Sequence, residues 1–216
     1  MKTFKVLAVL LTYPEADHKA AADEMVAAVK AENLLAGAHL AAVQRFVEEM
    51  KDTDLMDLQA RYVGLFDRSR ALSLHLFEHV HGESRDRGQA MVDLRALYER
   101  HGLDPTHREL PDFLPLFLEF LSLLPLDEAR GHLAEAAHIV TALWERMARH
   151  DSSYAGVLRA VASLAAAEPD RQAVDTVKAA TDAAARDEAD VDRTWKEDNV
   201  TFGPCHTGDA KPACGS

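Results

Sequence analysis

The sequence predicts an all-α fold, a single-domain helical bundle, and three observations carry that expectation. Apolar residues make up 48% of the chain but aromatic residues only 6%, and a core of Leu, Ala and Val suits helices, whereas strands favour β-branched and aromatic residues. Most segments between turn signals place apolar residues at i, i+3, i+4 and i+7. No segment alternates convincingly between apolar and polar positions, so no sheet is expected.

Taken in order, helices are expected near 2–12, 16–31, 33–50, 53–80, 84–101, 111–124, 126–150, 152–166 and 170–190. Pro14, Gly82, the cluster from Gly102 to Pro105, Pro111, Pro125 and Pro169 punctuate them. The clearest pattern is LDEARGHLAEAAHIVTALWERMARH, in which Leu126, Ala129, Leu133, Ala136, Val140, Leu143 and Met147 share a stripe. Asp127 and Glu128 at its start and Arg146 and Arg149 at its end complement the helix dipole. In ELPDFLPLFLEFLSLLP, Pro111 and Pro115 fit only the first turn of a helix, and the leucines and phenylalanines that follow cover almost its whole circumference. HGLDPTHRELP is the longest irregular linker inside the core. After Pro169 the segment RQAVDTVKAATDAAARDEADVDR is rich in Ala and charge, so its helix is expected to gain little from packing. Residues 1–192 are read as the domain and 193–216 as a flexible tail.

With 24 Lys+Arg against 36 Asp+Glu the formal charge is −12. Such a surface repels phosphate and anionic lipid, which excludes nucleic acid as the expected partner and favours basic ones. The opening MKTFKVLAVLLTYPEAD has a short apolar run and no small-x-small cleavage site, so it reads as the first helix rather than a leader. No apolar run approaches the roughly 20 residues of a bilayer span. Cys205 and Cys214 both lie in the tail and cannot staple the body, which fits a reducing cytoplasm. A monomer or weak dimer is expected.

The stretch LHLFEHVHG contains His75, Glu78 and His79 in the H-x-x-E-H order of inverted zinc peptidases. On one helix the two histidines would project to nearly the same side and could share a metal. A catalytic zinc also needs a third ligand and a substrate cleft. The same segment carries the apolar stripe Leu72, Leu76, Phe77 and Val80, so histidines packed at the border of a groove are the favoured reading and zinc the alternative. Nucleophile elbows, phosphate loops and dinucleotide fingerprints are missing.

Two segments, YVGLFDRSRALSLHLFEHVHGESRDRGQAMVDL and ELPDFLPLFLEFLSLLP, with LLTYP near the start and WKEDNVTFG near the end, resemble the NarJ family of molybdenum cofactor assembly chaperones of respiratory nitrate reductase. The likeness to the TorD and DmsD chaperones is more distant: their P-D-H motif is matched by Pro111 and Asp112, but Phe113 stands where they carry histidine. The resemblance implies a TorD/NarJ-like helical bundle that is not an enzyme and carries no cofactor of its own. It implies a cytoplasmic chaperone that binds the amino-terminal segment of the nitrate reductase catalytic subunit. The apoenzyme is thereby kept competent for insertion of molybdopterin guanine dinucleotide before membrane attachment. A chaperone of a related molybdoenzyme is the nearby alternative.

The residues agree with this on separate grounds, because a basic amphipathic segment is the complement of an acidic helical body with an apolar groove. The expected groove is lined by Phe66, Leu72, Leu76, Phe113 and Leu116, with Glu78, Glu83, Asp112 and Glu119 as carboxylates for its Lys and Arg side chains. His75, His79 and His81 are expected beside the groove, where their charging below about pH 6.5 would repel a basic guest. The competing account makes Asp67, Arg68, Arg70, Glu83, Arg85, Asp86 and Arg87 an ion-pair network around Gly82.

Overall fold

In the computed structural model the described residues are 1–68, 70–80, 85–104 and 109–196, with side chains described to Ala183 except that of Arg85. Among these residues ten α-helices run in chain order: α1 Lys2–Leu10, α2 Ala16–Ala20, α3 Ala22–Glu32, α4 Gly37–Asp52, α5 Leu55–Tyr62, α6 Arg85–Arg100, α7 Leu114–Leu123, α8 Leu126–Met147, α9 Tyr154–Ser163 and α10 Arg171–Lys196. Among the described residues there is no strand, only one isolated antiparallel bridge between His75 and Phe113. No helix among them is long and apolar enough to cross a membrane. Cys205 and Cys214 lie outside the described residues.

The core is built on α7 and α8. Leu114, Leu118, Phe120 and Leu121 of α7 are sealed from solvent, as the all-round apolar pattern requires. So are Leu133, Val140 and Leu143 of α8. α1 lies on α7, α9 lies between α8 and α4, and α3 joins α1 to α4. Pro115 stands at the start of α7, where its missing N–H costs nothing. Phe113 is the N-cap, so Pro111 falls outside the helix that was expected to begin there.

Two expectations change. The helix expected over 53–80 stops at Tyr62 and continues as a π turn, Val63–Asp67, then as 3-10 turns at Arg70–Leu72 and Leu76–His79. Across the link between the last two turns, Leu72, Leu74 and Leu76 are 3%, 2% and 3% exposed, and the backbone at His75 is extended. The alternation was therefore present in ALSLHLF.

The second change concerns α10, which is not loosely held at its start. Val174, Val177 and Thr181 are buried. The guanidinium of Arg146, itself buried rather than displayed at the end of α8, donates to Ala71 O (3.1 Å), Lys178 O (3.0 Å) and Asp182 Oδ1 (2.6 Å).

At Gly156 in α9 an added Cβ would stand 2.9 Å from the Cβ of Ala42 in α4, so these two helices touch through small residues. Gly156→Val should lower the unfolding free energy by about 1–3 kcal/mol through overpacking. Gly131→Ala, in exposed mid-helix with nothing within 4 Å of the new Cβ, should raise it by up to about 1 kcal/mol. Urea midpoints of the two variants check the contrast.

Candidate functional site

The site grows out of the place where the short link before the turn Leu76–His79, extended at His75, meets the residues leading into α7. Backbone bonds from Leu76 N to Asp112 O (2.9 Å) and from Leu114 N to Leu74 O (2.8 Å) form the bridge. Asp112, 0% exposed, accepts the Phe77 N–H on Oδ2 (3.0 Å) and meets His75 Nδ1 with Oδ1 (3.2 Å). It therefore acts as the cap of the turn Leu76–His79, satisfying an amide with no partner inside the turn. Tyr98 of α6 closes the same junction, its hydroxyl donating to Pro111 O at 2.7 Å and its ring packing on Phe120 at 4.7 Å.

Because neighbouring side chains of an extended chain point to opposite sides, this segment separates two clefts. One, of ≈ 220 Å³, is apolar: Leu76, Phe77 and Val80 form one wall and Leu94 of α6 another. Phe117, Ala136 and Ile139 supply the rest of its apolar surface, with His132, Glu135 and His138 on α8. The other, of ≈ 480 Å³, is acidic and aromatic: Glu15, Asp67 and Glu109 share it with Tyr13, Tyr62 and Phe113, and His75 faces it.

The two histidines that suggested zinc have separate tasks. His75 lies in extended backbone and His79 in a 3-10 turn, so the shared helical face on which a common metal depended does not exist. His79 Nε2 carries a proton and donates it to Ser73 O at 2.8 Å, while Nδ1 lies 3.4 Å from the Thr181 hydroxyl. Among the described residues no three His, Cys, Asp or Glu side chains come together as a metal-holding set.

Their titrations diverge for physical reasons. The hydrogen bond to Asp112 holds His75 above the ordinary histidine value. Its contribution to stability is complete below the unfolded value near about 6.5 and is lost as pH rises through the raised folded one. Burial pushes His79 down, so it folds neutral. Its contribution is present above about 6.5 and lost as pH falls through that region. Acidification thus acts on His79 inside the fold, against α10, while protonation of His75 adds positive charge beside the acidic cleft.

Of the other expected groove residues, Phe66 and Leu72 belong to the core. The Phe66 ring packs on Tyr62 (4.8 Å) and Tyr154 (5.0 Å). Leu76 is almost covered yet borders the apolar cleft, while Phe113 and Leu116 are half-buried. Asp112 is a structural acceptor and not a rim carboxylate. Glu78 pairs with Arg87 at 3.2 Å and Glu119 pairs with Lys5. Glu83 and His81 lie outside the described residues. Leu94, Phe117 and Ile139 were missed as wall residues. Their helical spacing marked them as apolar, but only the tertiary arrangement leaves a gap between them.

Asp112→Ala should cost about 1–3 kcal/mol, because it strands a covered N–H, and should bring the His75 pKa down toward about 6.5. A histidine-resolved NMR titration of the unsubstituted chain should place His75 above that value and His79 below it.

Residues 16–160 match the family model described as the nitrate reductase delta subunit. Over 197 residues, 89% of this chain and 81% of the relative, the sequence is 45% identical to the nitrate reductase molybdenum cofactor assembly chaperone NarJ of Escherichia coli strain K12. It is 38% identical over 205 residues, 94% of this chain and 84% of the other, to NarW of the same strain, named as a probable chaperone of the same kind. A crystal structure from Archaeoglobus fulgidus, of a protein named for redox enzyme maturation, shares the fold with a TM-score of 0.52 at 24% identity, covering 75% of this chain and 91% of that one. The chain belongs to the nitrate reductase delta subunit family, to which its NarJ-type relatives give the character of molybdenum cofactor assembly chaperones.

Proposed function

We propose that this protein is an assembly chaperone for nitrate reductase that binds the amino-terminal segment of the catalytic subunit and keeps the apoenzyme competent for molybdenum cofactor insertion. The observation that carries the reading is the pairing of an apolar cleft with an acidic one across residues 75–77. A basic amphipathic segment can seat its apolar side chains against Leu76, Phe77 and Phe117 and direct Lys or Arg toward Glu15, Asp67 and Glu109. The formal charge of −12 favours the approach of such a guest and discriminates against acidic ones. The cofactor is cargo for the client on this account, and the chaperone's own residues bind and shield polypeptide. No covalent step is required of them.

Because the guest must be ordered as it binds, part of the contact energy is offset. Affinity is expected between about nanomolar and micromolar, roughly −12 to −8 kcal/mol, with reversible release. Val80 is 46% exposed and lines the apolar cleft, so a charge there should be tolerated by the fold and not by the guest. Val80→Asp should weaken binding of a synthetic peptide of the client's first residues by about tenfold or more, the scale of an interface hot spot, with little change in thermal midpoint. Glu15→Gln with Glu109→Gln should lower affinity and flatten its dependence on salt. Calorimetry reads both; unchanged affinity in both variants would rule these clefts out. Co-purification from nitrate-grown cells should bring down the apo catalytic subunit, and its absence would count against the client.

A further inference from the structure

The apolar cleft has room for side chains of its guest but not for a whole helix. At ≈ 220 Å³ it falls below the roughly 300–1,000 Å³ of sites that enclose even a small molecule, while a helix with its side chains is about 10–12 Å across. One wall must move if the cleft is to admit a helix.

The walls differ in how firmly they are held. Phe117, Ala136 and Ile139 belong to α7 and α8, both rooted in the core. Among the described residues α6 is held mainly over its second half, where Leu97 packs against the core. Among its described residues Tyr98 alone is fully buried, tied by its ring to Phe120 and by its hydroxyl to Pro111 O. A further tie lies at that same end, where His101 meets Glu128 at 3.1 Å. Toward the start of α6, Met91 and Leu94 are only half-covered and Val92 is 61% exposed. Among the described side chains, Arg87 and Glu78 join this end to the 76–79 turn through an ion pair at 3.2 Å. The pair is a local clasp, its side chains 19% and 20% exposed.

Resting on the client-peptide reading above, we infer that α6 is the movable wall of the client site: it pivots on Tyr98, releases the Arg87–Glu78 clasp and admits a basic amphipathic helix between its Met91–Leu94 face and α8. The guest then covers apolar surface of α6 that the closed form leaves half-exposed, and that gain offsets the loss of one ion pair. A like-charged guest side chain near Arg87 would further favour release, whereas the carboxylate freed at Glu78 offers the guest a partner.

Two experiments separate this inference from the reading it rests on. In the free full-length protein, amides of residues 88–95 should exchange at least about tenfold faster than those of 133–143, since they open without global unfolding; equal exchange would overturn the pivot, whatever the client. In a Cys205→Ser, Cys214→Ser background, Glu78→Cys with Arg87→Cys is bridged by a short bis-maleimide, and the same variant capped with N-ethylmaleimide is the control. Titrated with the synthetic amino-terminal peptide, the bridged form should bind at least about tenfold more weakly than the capped form, within the usual range of conformational coupling. Equal binding by both would overturn the moving wall while leaving peptide capture intact. Failure of the capped and the unsubstituted chain alike to bind would sink the client reading, and the exchange comparison alone would then decide the pivot.

Discussion

The arrangement of the site depends on one buried carboxylate. Asp112 faces no solvent, yet it stays satisfied because the chain brings it the N–H of Phe77 and the ring of His75. Without that acceptor the turn at 76–79 would leave an amide unpaired in an apolar surrounding, at a cost of a few kcal/mol at most, but a cost concentrated on a single element. The turn would then lose the direction that sends Leu76 and Phe77 into one cleft and His75 toward the other. A negative charge that looks like a rim residue in the sequence is the peg on which both rims hang.

A second constraint acts from the other side. Arg146, Thr181 and His79 tie α10 to the 70–80 segment through buried polar contacts. The segment that divides the clefts is thus held between α7 and α10 by hydrogen bonds, while its outer neighbour α6 is held mainly at Tyr98. Firm floor and loose wall are what a reversible binder of polypeptide needs: the floor gives a fixed template, and the wall adjusts to the guest without repacking the core.

Much of the fold was legible in the sequence. Helices α1, α4, α6, α7 and α8 follow their apolar periodicity to within a few residues of the expected ends, and Pro115 marks the start of α7 correctly. The segment after Tyr62 misled because Leu72, Leu76 and Phe77 satisfy a helical spacing as well as Leu72, Leu74 and Leu76 satisfy an extended one. Only a partner for the extended backbone decides between them, and that partner, Asp112 to Leu114, lies almost forty residues on. The zinc pattern dissolved for the same reason, since it borrowed its geometry from a helix. Phe66 and Leu72 were rightly read as apolar, but periodicity cannot tell a core position from a cleft wall.

The central claim is that the client's amino-terminal segment lies between α6 and α8, next to Leu76. The most direct test is photo-crosslinking of the full chain with that peptide, carrying a benzophenone at one apolar position, followed by mass-spectrometric mapping of the adduct. The account predicts adducts at residues 91–97 and 132–139, competed away by unlabelled peptide. Competable adducts confined to the α3–α4 face, or none above those of a scrambled peptide, would contradict it.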